Sequence, residues 1–287
     1  VLGQYMDYVP VCPEVEVGLP VPRETLRLVK VEGYDSPRLM FRESKEDITD
    51  RMLEWAERRL NFLETKGIRG YVFKSKSPSS GMERIKIYND KDRIIARNGV
   101  GIFAGTLMKK FPLMPVEDEG RLNDIGIREN FIVRVFTYHR WRSALEKNGG
   151  TGAVVEFHTG NKLLFMSHHP DVARQMGKWV AQAKTMEYDE FLAGYETLAM
   201  TCLKYKATAK KHANVLYHMM GYFKKHLEAD EKQELIDVIE DFRRELVPLV
   251  VPVTLIKRYV RKYDQPYLKQ QTYLNPHPTE LKLRNHA

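Results

Sequence analysis

Two loops carry the residues best suited to chemistry. The first is Val11-Cys12-Pro13-Glu14-Val15-Glu16-Val17-Gly18-Leu19-Pro20-Val21-Pro22-Arg23-Glu24. It sets a thiol at Cys12 two residues from a carboxylate at Glu14. As a thiolate, cysteine is a soft metal ligand and nucleophile, and a carboxylate can move protons. Pro20 and Pro22 fix φ and carry no amide hydrogen, so the stretch reads as a stiff loop rather than a helix. The second loop is Lys74-Ser75-Lys76-Ser77-Pro78-Ser79-Ser80-Gly81. Hydroxyls and backbone amides crowd there beside two lysines, which suits an anion or the polar edge of a substrate. Taken singly, these residues have bland readings. A lone cysteine is most often a small buried side chain, and Ser77 before Pro78 starts a turn.

The elements that position these loops read as two blocks. To about Pro115 the pattern alternates. Tyr8 to Val11 and Thr25 to Val31 read as short strands, and Gly70 to Phe73 as a buried strand entering the serine loop. Asp47 to Thr65 carries Met52, Leu53, Trp55, Ala56, Leu60 and Leu63 at helical spacing. Arg84 to Tyr88 reads as extended and Gly101 to Phe111 as a helix. Strand and helix in alternation predict a Rossmann-like α/β domain over residues 1–116, with ligands at strand ends and a first strand upstream of Val1. Pro112 to Gly120 reads as a linker. Beyond it, residues 117–287 read as an all-α domain, with helices over 129–145, 170–184, 190–227 and 231–246. Ser167 and Asp230 read as helix-start signals.

Asn98-Gly99-Val100-Gly101 does not match G-x-G-x-x-G, and a turn into a helix is the better reading. All nine histidines follow residue 130, so chemistry in the first block falls to carboxylate, hydroxyl and thiol. His168-His169 and the pair His212 and His218 lack the spacing that sets two imidazoles on one helix face, which favours surface or hydrogen-bonded histidines over a metal site.

The chain has 287 residues, two cysteines and a net charge of +8. Two cysteines exclude a disulfide framework and point to a reducing, cytoplasmic setting. The longest apolar stretch, Leu246 to Ile256, is too short for a membrane span and is interrupted by Pro248 and Pro252. The positive charge is placed with order. Lys204, Lys211, His218 and Lys225 recur every seven residues along an expected helix over 203–227, and apolar residues occupy a different face. Lys257, Arg258, Arg261 and Lys262 follow, interleaved with Tyr259, Tyr263, Tyr267 and Tyr273. Cations for phosphate beside aromatic rings for unstacked bases point to RNA. No membrane or DNA partner is expected, and oligomeric state stays open.

The two loops together resemble the thiouracil desulfidase family. The runs His212 to Phe223 and Gln271 to Asn285 resemble the YbgA-type domain fused to it in some members, so the likeness spans nearly the whole chain. The resemblance implies a [4Fe-4S] cluster held by three cysteines, with one iron left open for the sulfur of the substrate. The C-P-E cysteine matches Cys12, the cysteine of S-P-S-C-G matches Ser80, and the third ligand precedes Val1. It also implies that Glu14 handles protons at the substrate carbon and that Ser77 supplies a catalytic hydroxyl. Fused members imply removal of sulfur from 4-thiouridine in tRNA, with the helical domain holding the RNA. Ser80 at a ligand position keeps two other readings open: a clusterless RNA-binding relative, and an interaction module whose basic helix meets an acidic partner.

Overall fold

The computed structural model describes residues 2–285. They form two compact units that part between Asp124 and Ile125. The first is α/β and the second is helical.

In the first unit, α1 spans Pro13–Glu16, β1 Leu26–Val29, β2 Arg38–Phe41, α2 Thr49–Thr65, β3 Tyr71–Phe73, β4 Ile85–Tyr88, β5 Ile94–Gly99, α3 Ile102–Lys110 and β6 Val116–Asp118. A mixed four-stranded sheet has the order β2-β1-β4-β5, and a separate parallel pair joins β3 to β6. In β1 and β2, Leu28, Leu39 and Phe41 are buried, as short strands over a shared core require. Along α2, Met52, Trp55, Ala56, Leu60 and Leu63 are buried, while Leu53 is 40% exposed, lying about 100° around the helix from Met52. Phe103 of α3 is fully buried, with its ring 5.2 Å from Trp55 and 5.8 Å from Tyr71. That aromatic contact holds α3 against α2 and against β3, the strand that leads into the serine loop.

Three local expectations fail here. Tyr8 to Val11 is not a strand; Tyr8 and Val9 are exposed, and Pro10 has no amide to offer a ladder. Pro13 to Glu16 is a single helical turn rather than loop. Proline at the first helical position suits a helix start, and the breakers Pro20 and Pro22 lie beyond its end. The linker expected at Pro112 to Gly120 contains β6, whose residues pair in parallel with β3. The sequence places the junction at 116/117, eight residues before the units part.

The second unit contains α4 Ile125–Asn148, α5 Thr151–His168, α6 Pro170–Ala181, α7 Tyr188–Lys204, α8 Ala209–Gly221, α9 Ala229–Arg243, α10 Val250–Lys262 and α11 Pro266–Lys269. Its core packs Trp141 of α4 at a tilt against Phe157 of α5 and Tyr195 of α7, with centroids 5.1 and 5.2 Å from Trp141. Helix α5 escapes the period test because residues on several of its faces are buried, among them Phe157, His158, Leu163, Leu164 and Ser167.

The single helix expected over 190–227 is two. Tyr205 leaves helical geometry at ψ 133, and Thr208 caps α8 by accepting from the Lys211 amide at 3.4 Å. A capping hydroxyl overrode the apolar period. The seven-residue stripe is therefore broken: Lys204 ends α7, Lys211 and His218 sit on α8, and Lys225 lies beyond Gly221. Likewise His169 caps α6 in place of Ser167, and Glu228 caps α9 through a reciprocal pairing with Glu231 in place of Asp230. No helix among the described residues is long and apolar enough to cross a membrane.

Phe103→Ala should cost about 3–5 kcal/mol, the range for an emptied aromatic core site. Urea unfolding followed by near-ultraviolet dichroism checks it.

Candidate functional site

The site of the first unit is assembled by two loops, each pinned to a helix. On the Cys12 side, the Cys12 amide donates to Glu16 Oε1 at 3.1 Å, and Glu16 accepts an ion pair from Arg59 of α2 at 3.1 Å. Arg59 also donates to the Pro10 carbonyl at 2.9 Å. One guanidinium thus fixes the chain on both sides of Cys12. On the serine side, the loop carbonyls cap α3. Phe103 and Ala104 amides donate to the Ser79 carbonyl at 2.9 and 3.2 Å, and the Ile102 amide to Pro78 at 3.3 Å. These satisfy amides that a helix start otherwise leaves without partners. Gly101 is required by space: a Cβ there would stand 2.5 Å from the Ser79 carbonyl oxygen.

Within the serine loop, Ser77 Oγ accepts from the amides of Ser79 and Ser80 at 3.3 and 3.1 Å. With its acceptor capacity used, its hydroxyl proton goes outward. It meets Glu14 Oε1 at 3.2 Å and Ser79 Oγ at 2.9 Å. Ser79, fully buried, donates a short hydrogen bond to the same Glu14 oxygen. The other Glu14 oxygen lies 3.8 Å from Cys12 Sγ and 3.9 Å from Arg23 Nη2. Glu14 therefore bridges the loops: Oε1 faces two serine hydroxyls, and Oε2 faces the thiol and a guanidinium. The phenol of Tyr71 is held well above its ordinary range, chiefly by burial and then by the charges of Glu16, Cys12 and Glu14, so it stays protonated.

Cys12, Glu14, Ser77 and Ser80 are thus gathered through a short chain of contacts, Cys12 to Glu14 to Ser77 to the Ser80 amide. Sequence reasoning did not single out Ser79, Arg23, Arg59 or Tyr71. For Ser79 a signal existed: it stands two residues from Ser77 across a proline that stiffens the turn. The arginines act through tertiary contacts that no local pattern shows. Cys202 takes no part. Burial raises its thiol to about 12, and it points at the Phe165 carbonyl.

The donor set does not match a thiolate-held [4Fe-4S] cluster. Cys12 is the one thiol of this unit among the described residues, and Ser80, 5% exposed, offers a harder and far less acidic alcohol oxygen. No group of three histidine, cysteine or carboxylate side chains placed to hold a metal occurs among the described residues.

In the helical unit, the basic residues separate by partner. Lys211 Nζ is spent on the carbonyls of His168 and Lys206 at 2.6 and 3.1 Å. Lys257 reaches Asn275 at 2.6 Å and its pKa is lowered, mainly by burial. Lys262 pairs with Glu231 at 2.6 Å. Lys204, His218, Lys225, Arg258 and Arg261 are exposed, and both arginines border a groove of about 560 Å³ floored by Val238, Val250 and Leu255. The interleaved tyrosines are not a stacking platform. Tyr259 and Tyr273 are fully buried, Tyr263 stacks on His226 and Tyr267 on Tyr222. Tyr263 and Tyr267 are half-buried, each with one ring face taken by its neighbour. His168 and His212 are buried and hydrogen-bonded, as their spacing suggested.

The comparisons with known proteins divide along the same two units. A family model described as 2-thiouracil desulfurase matches residues 1–119, and one described as a protein of unknown function (DUF1722) matches residues 162–278. Uncharacterized protein YbgA of Escherichia coli (strain K12) is 30% identical over 158 residues, which is 55% of this chain and 94% of YbgA. The solved structure of the [4Fe-4S]-dependent thiouracil desulfidase TudS is 30% identical and spans 39% of this chain and 68% of TudS, with a TM-score of 0.32. The chain belongs to the family of YbgA, and its first unit matches the 2-thiouracil desulfurase family over residues 1–119.

Anaerobic reconstitution followed by iron and sulfide analysis tests the donor argument. The native chain should hold well under one cluster's iron, and Ser80→Cys should raise the content. Full loading of the native chain would overturn it. Gly101→Ala should expose the amides of Phe103 and Ala104 to hydrogen exchange, because the Ser79 carbonyl must retreat.

Proposed function

We propose that the first unit binds a thiolated uracil and exchanges its sulfur for oxygen, and that the substrate is 4-thiouridine carried in tRNA. The exchange is hydrolytic and redox-neutral: water adds to the ring carbon, the C=S bond is replaced by C=O, and the sulfur leaves as hydrogen sulfide. Glu14 takes the proton of the attacking water and returns it to the departing sulfur. Ser79 and Ser77 hold the carboxylate in one orientation, so no reorganisation is needed as charge develops. Cys12, exposed at the edge, offers its S–H as a weak donor to the thio group. The observation that carries this reading is the Glu14 bridge, on a segment that matches the 2-thiouracil desulfurase model.

A [4Fe-4S] cluster belongs to this reading only in a form of the chain whose ligand positions are thiols. The alcohol at Ser80 supports a second reading, a relative that holds thiolated RNA without turning it over. In either case the helical unit meets phosphate through Arg258, Arg261, Lys204 and Lys225, four exposed members of the two basic clusters.

Mass spectrometry of nucleosides from 4-thiouridine-containing tRNA separates the two. Turnover in the native chain that falls by about 10²–10⁴ in Glu14→Gln and Ser77→Ala supports catalysis. Binding without turnover, before and after iron loading, supports the second reading. Arg258→Glu with Arg261→Glu should weaken tRNA binding and reduce the slope of log affinity against log salt by about 1–2. An unchanged slope would remove this face from the RNA contact.

A further inference from the structure

The β4–β5 hairpin of the first unit carries cations that its own surroundings leave unneutralised. β5 stands at the edge of the four-stranded sheet, with β4 as its partner and the other side of its ladder open. Lys86, Lys91, Arg93 and Arg97 are exposed, and none of their side chains forms an ion pair or hydrogen bond among the described residues. The carboxylates nearby are committed elsewhere. Asp92 holds Arg27 and Lys45 at 2.6 and 2.9 Å, and Glu83 holds Arg121 at 3.0 Å. Asp90, exposed in the turn, offsets one positive charge of the four.

The register concentrates that charge on one face. Between the pairs Ile85–Gly99 and Ile87–Ala96, the single residue Lys86 stands opposite two, Arg97 and Asn98. A Cβ at Gly99 would lie 3.1 Å from Ile87 Cγ1 and 3.1 Å from Leu28 Cδ1, so Ile85 and Ile87 face the core and Lys86 faces water. Like charges across a ladder repel. Lys86 and Arg97 therefore hold this arrangement at a cost that an anion between them relieves. Ile94 and Ile95, 40% and 53% exposed, add apolar surface beside the cations.

The hairpin grows directly out of the candidate site. The Ile85 side chain fills the space at Gly81 that a Cβ would need, and the Gly101 amide, just past β5, donates to the Gly81 carbonyl at 2.8 Å. Lys86 is thus the next residue beyond the contact with the serine loop. We infer that the β4–β5 hairpin holds the RNA backbone flanking the thiolated nucleotide. Lys86 and Arg97 meet phosphate, and the isoleucines cover a neighbouring base. The inference rests on the substrate proposed above and gives the first unit its own share of RNA binding. Bulges and charge keep an edge strand from adding another strand, so a second copy or an extended peptide fits this edge poorly.

Fluorescence anisotropy of the full chain with a short single-stranded RNA bearing one 4-thiouridine, across a salt series, tests this. Lys86→Gln with Arg97→Gln should make the slope of log affinity against log salt shallower by about 1.4, two phosphate contacts at about 0.7 each. The Tm without RNA should hold or rise, because a like-charge pair is relieved. An unmoved slope would overturn the inference and leave the proposed substrate standing. A slope lost only together with a fall in Tm would also overturn it, by assigning these side chains to the fold. No binding of the RNA by the native chain would remove both the inference and the substrate. A polyglutamate peptide that binds as tightly as the RNA, and equally less in the variant, would make the partner an acidic protein instead.

Discussion

A carboxylate largely withdrawn from water must find donors, and Glu14 finds them on a loop more than sixty residues away in sequence. This requirement organises the first unit. The Glu14 helical turn is fixed by Arg59 of α2, and the serine loop is fixed because its carbonyls serve the start of α3. Since α2 and α3 pack through Trp55 and Phe103, the two loops meet at a defined separation. The aromatic core therefore determines where Cys12 and Ser77 stand. The arrangement is set before any substrate arrives, which is the condition for electrostatic stabilisation without reorganisation.

The chemistry-bearing loops were legible because their signals are local. Proline, glycine and serine at fixed offsets mark a turn whatever the rest of the chain does. The order of α/β unit and helical unit was equally plain from the change in period. What escaped was decided at a distance or by caps. β6 lies in a stretch that reads as linker because three residues carry too little pattern to announce a strand. Its identity comes from pairing with β3. The break between α7 and α8 came from Thr208, whose hydroxyl competes with the helix for the Lys211 amide. Ser79 looked like loop filler, and only the fold shows that it holds the Glu14 carboxylate.

The basic composition proved a poorer guide than the placement of partners. A seven-residue recurrence of cations looks like one stripe, yet Lys211 satisfies carbonyls of its own unit and Lys257 and Lys262 serve neighbouring side chains. Of the tyrosines interleaved with them, Tyr259 and Tyr273 fill the core, and Tyr263 and Tyr267 stack on neighbouring rings. Apart from Lys262, paired with Glu231, the exposed cations of the two clusters are Arg258 and Arg261 on α10 and Lys204, His218 and Lys225 elsewhere on the unit.

The central claim is that Glu14 and the serine loop act as one coupled unit. A double-mutant cycle of Glu14→Ala and Ser79→Ala, read by denaturant unfolding of the first unit, measures that coupling directly. The account predicts an interaction energy of about 1–3 kcal/mol, because each single change already breaks the shared bond. Strictly additive effects would contradict it and would leave the two loops as neighbours without a common function.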